Sequence, residues 1–323
     1  LNIAADLGAM SAATRLVLPQ AGFELLVVLF AVVSLGLQIF TTYARYAKYL
    51  KYLTVALLSY VIVAFAVGLD WADVFYHTFV PSLTFSKDQI FLIAGILGTT
   101  ISPYLFFWQT SQEVEEQILK GEVTVSARKH DVSSDSMRRM RIDVWSGMLF
   151  SNLITFFIFA ACAGTLYSHG ITNIATADQA ALALKPFGEM AFFLFAIGIV
   201  GTGLLAVPVL AGSTAYAISE SFGWKQGLYR KLKEAYAFYG VIIVSMLLGI
   251  GANFAHLDPI RGLIYAAVAN GVIAPVVLFF VVRLSSNRRI MGEHANGRFT
   301  AAIGWVTIVV MAASGIAALW TLL

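Results

Sequence analysis

Long apolar segments separated by short polar loops are the feature that most constrains the fold of this chain. Nine segments contain, or nearly contain, the roughly 20 mostly apolar residues that a helix needs to cross the hydrocarbon core of a bilayer. They are Leu1–Leu16, Phe23–Thr41, Leu53–Gly68, Ile90–Leu119, Ile142–Tyr167, Phe187–Ala211, Ala235–Ala252, Leu263–Val282 and Ala301–Leu322. Hydrophobic residues make up 59% of the chain and charged residues 12%, with a mean hydropathy of +0.81. The sequence therefore predicts an all-α integral membrane protein with nine transmembrane segments.

The distribution of basic residues predicts how these segments are oriented. The 21 Lys and Arg residues lie in alternate loops, with four exceptions: Arg15, Lys87, Lys185 and Arg261. Short cytoplasmic loops of membrane proteins carry an excess of Lys and Arg, so these alternate loops are predicted to be cytoplasmic. The longest of them is Lys120–Arg141, and no loop is long enough to hold a sizeable soluble domain.

Several classes of function are excluded by the same composition. The single cysteine, Cys162, excludes a disulfide framework and a cysteine-based metal cluster. The net charge of +3 comes from basic residues in short loops rather than on one face, so no nucleic-acid partner is predicted. No span carries a catalytic motif such as H-E-x-x-H, so we predict neither an enzyme nor a cofactor. The lipid bilayer and a transported solute remain as partners, and no particular oligomeric state is predicted.

The fourth segment contains the stretch GILGTTISPYLFFWQ, which is unsuited to a continuous helix. Pro103 lacks a backbone donor and clashes with the preceding turn, and a serine before a proline is typical of a helix N-cap followed by the first helical residue. We interpret the segment as two half-helices, Ile90–Leu97 and Pro103–Leu119, joined by Gly98–Ser102. A plain proline kink is the alternative, because membrane helices tolerate proline.

Secondary transporters bind ions at discontinuous helices of this kind. Carbonyls near Gly98, Thr99 and Thr100 are expected to be unpaired and to carry the negative end of a helix dipole. Together with the Ser102 hydroxyl and the Tyr104 phenol, they are oxygen ligands that suit a hard cation. We predict Thr99, Ser102 and Tyr104 as metal ligands, with a carboxylate needed from another helix.

Ionisable residues near or inside the spans are candidates for an ion pathway. Asp6 lies in the first segment, where it either serves transport or faces a polar interface. Glu113, with Glu115 and Glu116, follows the broken helix towards the cytoplasm. These glutamates line an exit vestibule or belong to a solvated helix end, and the sequence leaves both interpretations open.

Three stretches resemble the Nramp family of divalent-metal transporters. GTTISPYLFFWQTSQEVEE, Gly98–Glu116, resembles the broken sixth helix of that family, closest to divergent bacterial members that include magnesium transporters. SNRRIMGEHANGRFTAAIGW, Ser286–Trp305, resembles the loop between its last two core-side helices, and LNIAADLGAM resembles part of its third helix. The resemblance covers family helices three to eleven. We therefore expect an N-terminally truncated chain that lacks the first two helices and the Asp-Pro motif of the first.

The resemblance implies a LeuT-like fold with inverted repeats. Residues 1–68 correspond to the last three helices of one repeat, 90–282 to the second five-helix repeat with its break at 98–104, and 301–322 to an accessory helix. It also implies a transporter of the Mn²⁺ and Mg²⁺ class that works by alternating access in the bacterial inner (cytoplasmic) membrane. The metal ion is then the substrate. Because the family places an amide-bearing helix next to the metal site, the resemblance adds Asn270 to the predicted metal ligands, with an interhelical hydrogen bond as the alternative role of its amide. The alternative is a carrier of amino acids or other small organic solutes on the same fold.

The sequence departs from the common family pattern in ways that affect selectivity and coupling. The usual Met-Pro-His is Ser-Pro-Tyr here, so Ser102 replaces a soft thioether that favours transition metals, and hard ions such as Mg²⁺ are expected to bind better. Gln109 occupies the position of a histidine associated with proton movement. Acidic residues of the family's third helix fall at Asn2 and Ala5, with Asp6 adjacent. We therefore expect transport without proton coupling and place Asp6, Gln109 and the first of the three glutamates on the candidate ion pathway.

Overall fold

The computed structural model describes residues 1–41, 48, 51–130, 134–171, 174, 176–255 and 259–321. These residues form helices joined by turns and loops, and none of them lies in a β-strand, which confirms the predicted all-α class. The α-helices are α1 (Asn2–Val17), α2 (Phe23–Phe40), α3 (Leu58–Ala66), α4 (Trp71–Phe79), α5 (Lys87–Thr100), α6 (Pro103–Leu119), α7 (Val125–His130), α8 (Ser134–Thr165), α9 (Ala177–Ala183), α10 (Glu189–Ser221), α11 (Tyr236–Phe254), α12 (Pro259–Ser285), α13 (Arg288–Met291) and α14 (Arg298–Thr321). The predicted end of the last segment, Leu322, and the basic residue Arg45 lie outside the described residues.

Seven helical segments of the described chain are long and apolar enough to cross a membrane. They are Phe23–Phe40, Lys87–Leu119, Asp135–His169, Glu189–Ser221, Tyr236–Phe254, Arg261–Ser285 and Arg298–Thr321. The pair Lys51–Ala66 and Trp71–Phe79, bent by 111°, gives an eighth if it counts as one broken span. The first predicted segment forms α1, whose 16 residues are fewer than the roughly 20 that a span needs.

Polar side chains at the loop ends fix where several helices begin. Asp70 precedes α4, and its carboxylate accepts a hydrogen bond of 2.9 Å from the backbone nitrogen of Ala72. Ser86 precedes α5 and accepts from the nitrogen of Gln89 at 3.2 Å. Such caps satisfy backbone donors that a helix start leaves unpaired, so they set the point at which the apolar segment becomes helical.

The chain divides into two compact units. One contains Leu1–Pro81 and Phe107–Ile260, and the other contains Ser82–Phe106 and Arg261–Leu323. The two units are groups of residues that contact one another densely. The predicted repeats, residues 1–68 and 90–282, are instead defined by symmetry between their helices. The units therefore do not test the repeats, which stay a prediction.

In the larger unit, α1, α2, α10 and α11 pack around a shared apolar core. Met10 of α1 is fully buried against Gly203 of α10, where a β-carbon would lie 2.5 Å from the Met10 Cγ. The Asn253 amide of α11 donates to the carbonyl of Ala4 at 2.7 Å. Small residues and interhelical hydrogen bonds are what hold helices together in lipid, where apolar contact alone does not favour protein over lipid.

In the smaller unit, α5, α12 and α14 approach so closely that backbones touch. A β-carbon on Gly98 would lie 2.0 Å from the carbonyl oxygen of Ala267 and 2.6 Å from the nitrogen of Gly271. A β-carbon on Gly315 would lie 3.2 Å from the Gly271 carbonyl oxygen. Glycines at 98, 271 and 315 therefore allow three helices to meet beside the helix break.

We predict that Gly98→Ala destabilises the protein because its methyl group has no space beside Ala267 and Gly271. Overpacking of this kind costs about 1–3 kcal/mol. Gly147→Ala, at a helical glycine of α8 with no atom within 4 Å of its β-carbon position, is the matched control. It should be neutral or stabilising by about 0.5–1 kcal/mol, since alanine favours helix over glycine.

The measurement is the melting temperature of the purified protein in detergent micelles. Gly98→Ala should melt below the wild type, and Gly147→Ala at or above it. Equal melting temperatures for the two variants would show that the close approach at residue 98 does not occur.

Candidate functional site

The break in the fourth predicted segment consists of two residues. Helix α5 continues to Thr100 and α6 begins at Pro103, so Ile101 and Ser102 alone have non-helical backbone there. The Ile101 nitrogen still donates to the Leu97 carbonyl at 3.0 Å. The linker predicted from sequence, Gly98–Ser102, is thus longer than the observed one, because the glycine and threonine positions keep helical hydrogen bonds.

Ser102 closes the end of α5 with its side chain. Its hydroxyl lies 2.8 Å from the carbonyl oxygen of Thr99 and 3.2 Å from that of Gly98, and it donates to them. In a continuous helix the nitrogen of residue 103 would donate to the Thr99 carbonyl, but proline has no N–H. The serine hydroxyl takes its place, so the expectation that the Gly98 and Thr99 carbonyls are unpaired is wrong.

The threonines before the break make local hydrogen bonds. The hydroxyls of Thr99 and Thr100 each donate to the Ile96 carbonyl at 2.8 Å, and both residues are exposed. Ser102, in contrast, is 3% exposed. The buried polar oxygen at the break is therefore that of Ser102, which keeps its lone pairs for an acceptor role after donating its proton.

The other two predicted ligands lie on either side of the break. Tyr104 is half-buried in the first turn of α6, and Asn270 is half-buried on α12, one residue before the Gly271 that touches Gly98. The smaller unit thus holds all four predicted ligands, and the glycine contact brings the helix of Asn270 against α5. Among the described residues, no group of three His, Cys, Asp or Glu side chains is placed to hold a metal ion.

The predicted pathway residues lie in the larger unit. Asp6 is half-buried on α1. Gln109 and Glu113 lie one turn apart on α6, and the Gln109 amide donates to the Glu113 carboxylate at 3.2 Å. Glu113 therefore has a partner on its own helix.

A cavity of about 530 Å³ lies between α6 and the first turns of α8, and we call it the α6–α8 cavity. Its charged lining residues are Glu113, Glu116, Lys120, Arg139 and Asp143, and its amides include Gln109 and Gln112. Glu113 and Glu116 border this cavity, and both interpretations, an exit vestibule and a solvated helix end, stay open.

Glu115 has a different environment, which the sequence did not reveal. It is 3% exposed, and its carboxylate accepts hydrogen bonds from the backbone nitrogens of Leu228 at 2.8 Å and Tyr229 at 3.1 Å. The hydroxyl of Tyr216 on α10 also donates to it. The carboxylate therefore fastens the loop between α10 and α11 to the end of α6.

The packing around this network explains why Glu115 is buried. Trp108 lies on the same face of α6, two turns earlier, and packs against Gly212, where a β-carbon would lie 2.4 Å from its ring. Its ring also meets the ring of Tyr216 edge-on with centroids 6.1 Å apart. Gln112, between them, donates to the Tyr216 hydroxyl at 3.2 Å. The spacing 108, 112, 115 on one helical face was the available sequence signal.

The sequence of this chain is similar to one family model and to several named proteins. The family model described as "Natural resistance-associated macrophage protein-like" (Nramp) matches residues 1–321. The chain is 27% identical over 242 residues to a protein of Caldanaerobacter subterraneus subsp. tengcongensis named "Divalent metal cation transporter MntH", a match that covers 74% of this chain and 52% of that protein. Proteins of the same name from Clostridium acetobutylicum and Klebsiella pneumoniae are 23% and 27% identical, with 78% and 79% of this chain and 54% and 58% of those proteins covered. The chain thus spans about half the length of the curated relatives it matches.

We predict that Glu115→Ala releases the loop that contains Leu228 and Tyr229. The substitution leaves the part-buried Tyr229 nitrogen and the Tyr216 hydroxyl without their acceptor, and the buried Leu228 nitrogen keeps only its longer bond, of 3.2 Å, to the Tyr216 oxygen. This loss should cost about 1–3 kcal/mol of stability. Glu220→Ala, at an exposed glutamate of α10, is the control and should have little effect.

Hydrogen–deuterium exchange of the peptide 222–231 reports on this loop directly. Its amides should exchange faster in Glu115→Ala than in the wild type or in Glu220→Ala. Unchanged exchange would mean that the carboxylate does not hold the loop.

Proposed function

Because the chain belongs to the Nramp family, we propose that this integral membrane protein transports divalent metal cations across the bacterial cytoplasmic membrane. The names of the similar MntH proteins support this class of substrate. The observation that carries the proposal is the helix break at Ile101 and Ser102, which puts a buried hydroxyl oxygen in the middle of an apolar span. Metal transport, rather than catalysis, also agrees with the absence of catalytic motifs in the sequence.

The proposed architecture is the LeuT-like fold with nine transmembrane segments. Seven candidate spans, the bent pair Lys51–Ala66 and Trp71–Phe79, and the short helix α1 together give that number. The alternation of basic and non-basic loops supports the same count. In this arrangement, transport proceeds by alternating access around the break, with 1–68 and 90–282 as the two repeats and 301–322 as the accessory helix.

The proposed metal site uses oxygen ligands. The Ser102 hydroxyl, the Thr99 carbonyl and the Tyr104 phenol lie along the break, and Asn270 approaches from α12. Hard cations such as Mg²⁺ and Mn²⁺ take oxygen ligands, whereas a thioether would favour softer transition metals. Because the hydroxyl of Ser102 donates to carbonyls of its own helix, its lone pairs are free to face a cation.

The proposed transport is driven by the electrical potential without proton coupling. Asn2, Ala5 and Gln109 stand where proton-coupled family members are expected to carry titratable groups, and none of the three titrates near neutral pH. A membrane potential contributes about 2.3 kcal/mol per charge per 100 mV, which is enough to accumulate a divalent ion. Asp6 is the residue that would have to carry a proton if coupling exists.

We predict that Mg²⁺ competes with Mn²⁺ for uptake, and that Ser102→Met weakens this competition. A thioether at this position adds a soft ligand and removes a hard one, so the concentration of Mg²⁺ that halves Mn²⁺ uptake should rise about tenfold. Leu105→Met is the control, because it places the same thioether on an exposed position of α6.

The measurement is Mn²⁺ influx into proteoliposomes that contain the protein expressed from its complete reading frame. Uptake of Cd²⁺, a softer ion, should increase in Ser102→Met but not in Leu105→Met. If excess Mg²⁺ leaves the Mn²⁺ influx of the wild type unchanged, the proposed selectivity is wrong.

We also predict that metal influx does not acidify the vesicle interior. The assay follows a trapped pH-sensitive dye during Mn²⁺ influx, with the voltage clamped by potassium and valinomycin. Asp88→Asn, at an exposed carboxylate near the start of α5, serves as the control for Asp6→Asn. Acidification that depends on Mn²⁺ and disappears in Asp6→Asn alone would show that Asp6 supports proton coupling.

A further inference from the structure

A cavity of about 350 Å³ lies where the ends of α6 and α10 meet the loop that follows α10, and we call it the α6–α10 cavity. Val114 and Ile118 of α6 give it an apolar wall, and its charged lining residues include Glu220, Lys225 and Arg230. The loop that carries the two basic residues is one of those predicted to be cytoplasmic. The cavity is therefore expected at the cytoplasmic surface of the membrane.

Aromatic side chains beside the cavity indicate its depth in the membrane. The two apolar spans that border it end at Leu119 and Ser221. Directly after the second span, the rings of Phe222 and Trp224 are exposed and stack with their centroids 5.0 Å apart. Exposed aromatic residues at the end of a span are typical of the membrane–water interface. We therefore place the cavity at the level of the lipid headgroups.

The backbone of the loop is fixed on both sides of its cavity-lining part. Helix α10 ends at Gly223, whose φ of 65° allows the nitrogen of Trp224 to turn back and donate to the Ser219 carbonyl at 2.8 Å. At the other side, the Tyr239 hydroxyl donates to the carbonyl of Arg230 at 2.8 Å. The loop thus presents its side chains to the cavity from a defined backbone.

The guanidinium group of Arg230 is held in place but has donors to spare. Arg230 is half-buried, its Nε donates to the Gln226 carbonyl at 3.2 Å, and its guanidinium carbon lies 4.9 Å from the centre of the Tyr229 ring. The remaining N–H groups of this side chain have no hydrogen-bond partner among the described residues. An oriented guanidinium with free donors suits a phosphate, which accepts two parallel hydrogen bonds from it.

Basic and acidic groups line the α6–α10 cavity without pairing with one another. In the part of the chain that the structure describes, Glu220 makes no ion pair within 4 Å with Lys225 or Arg230. Glu115 is the other acid that lines the cavity, but it is 3% exposed and already accepts three hydrogen bonds from the protein. The cavity therefore offers a ligand two basic groups and the carboxylate of Glu220.

The ligand that fits these groups carries an anion and a cation close together and has an apolar part. Phosphatidylethanolamine has a phosphate for the basic groups, an ammonium whose N–H groups donate to a carboxylate, and acyl chains that share the apolar spans' environment. Phosphatidylglycerol lacks the cation, and the quaternary ammonium of phosphatidylcholine has no N–H to donate. Basic pockets between transmembrane helices on the cytoplasmic side are known to bind lipid headgroups.

We infer that the α6–α10 cavity binds the headgroup of phosphatidylethanolamine from the cytoplasmic leaflet. Arg230 and Lys225 hold its phosphate, and Glu220 accepts hydrogen bonds from its ammonium. This site goes beyond the proposed function, because the binding of a lipid here does not depend on which solute the protein transports.

The test is lipid binding to the purified protein from its complete reading frame, stripped of lipid in detergent micelles. Phosphatidylethanolamine, phosphatidylglycerol and phosphatidylcholine with identical acyl chains are titrated in turn, and native mass spectrometry counts the lipids bound. Phosphatidylethanolamine should bind the wild type about fivefold more tightly than either of the others, because it alone satisfies both the basic groups and the carboxylate.

Substitutions separate the two ends of the headgroup. Arg230→Gln should weaken the binding of phosphatidylethanolamine and phosphatidylglycerol alike by about tenfold, and Lys225→Gln by about threefold. Glu220→Gln should lower the affinity for phosphatidylethanolamine to that for phosphatidylcholine. The matched controls are Lys233→Gln, on the same loop, and Glu189→Gln, at the other end of α10, since both residues are exposed and lie outside the cavity lining.

Equal wild-type affinity for the three lipids, or a preference for phosphatidylglycerol, overturns the inference. A loss in Lys233→Gln as large as in Arg230→Gln also overturns it, because general surface charge would then explain the binding. Lys225 is exposed, so Lys225→Gln keeps the phosphate part testable if Arg230→Gln melts below the wild type. Soluble phosphoethanolamine that competes as strongly as the lipid overturns the assignment to a membrane lipid.

Discussion

The hydrogen bond from the Ser102 hydroxyl to the Thr99 carbonyl allows a proline to stand inside a membrane helix of this protein. Within hydrocarbon, a carbonyl without a donor costs several kcal/mol, and Pro103 deprives Thr99 of the donor that a regular helix would supply. The serine replaces the missing N–H with a side-chain O–H at 2.8 Å. The backbone can thus leave the helical conformation at Ile101 and Ser102 while the helix on either side stays intact. Only these two residues leave the helical conformation, and the hydroxyl oxygen of the buried Ser102 lies at the same place.

Close packing around the break depends on residues that have no side chain. Gly98 and Gly271 let the backbones of α5 and α12 touch, and Gly315 lets α14 join them. This contact places Asn270 on a helix next to the break. Close packing of this kind holds the helices together, because lipid provides no hydrophobic driving force between them. A methyl group at residue 98 would meet backbone atoms of Ala267 and Gly271 rather than a side chain that can move aside, so this position does not tolerate a larger residue without a shift of the helices.

The sequence predicted the class of fold and the position of the break, but it did not predict the details that depend on tertiary contacts. The length of the apolar segments predicted the spans, because a run of about 20 mostly apolar residues is typical of a transmembrane helix. The Ser-Pro pair located the break, yet the predicted five-residue linker was too long because it ignored the side-chain cap that Ser102 supplies. The burial of Glu115 was also missed. Its partners, Leu228 and Tyr229, lie more than 110 residues away in the sequence. No local sequence pattern predicts that their backbone nitrogens donate to this carboxylate.

Helix α6 presents two polar faces with different surroundings. The face with Trp108, Gln112 and Glu115 is buried against α10 and the following loop, where the Tyr216 hydroxyl and the nitrogens of Leu228 and Tyr229 donate to the carboxylate. The adjacent face, with Gln109 and Glu113, borders the α6–α8 cavity. Gln112 links the first face to α10, because its nitrogen donates to the Tyr216 hydroxyl. The carboxylate of Glu115 therefore fixes, through that one hydroxyl, the orientation of the neighbouring amide.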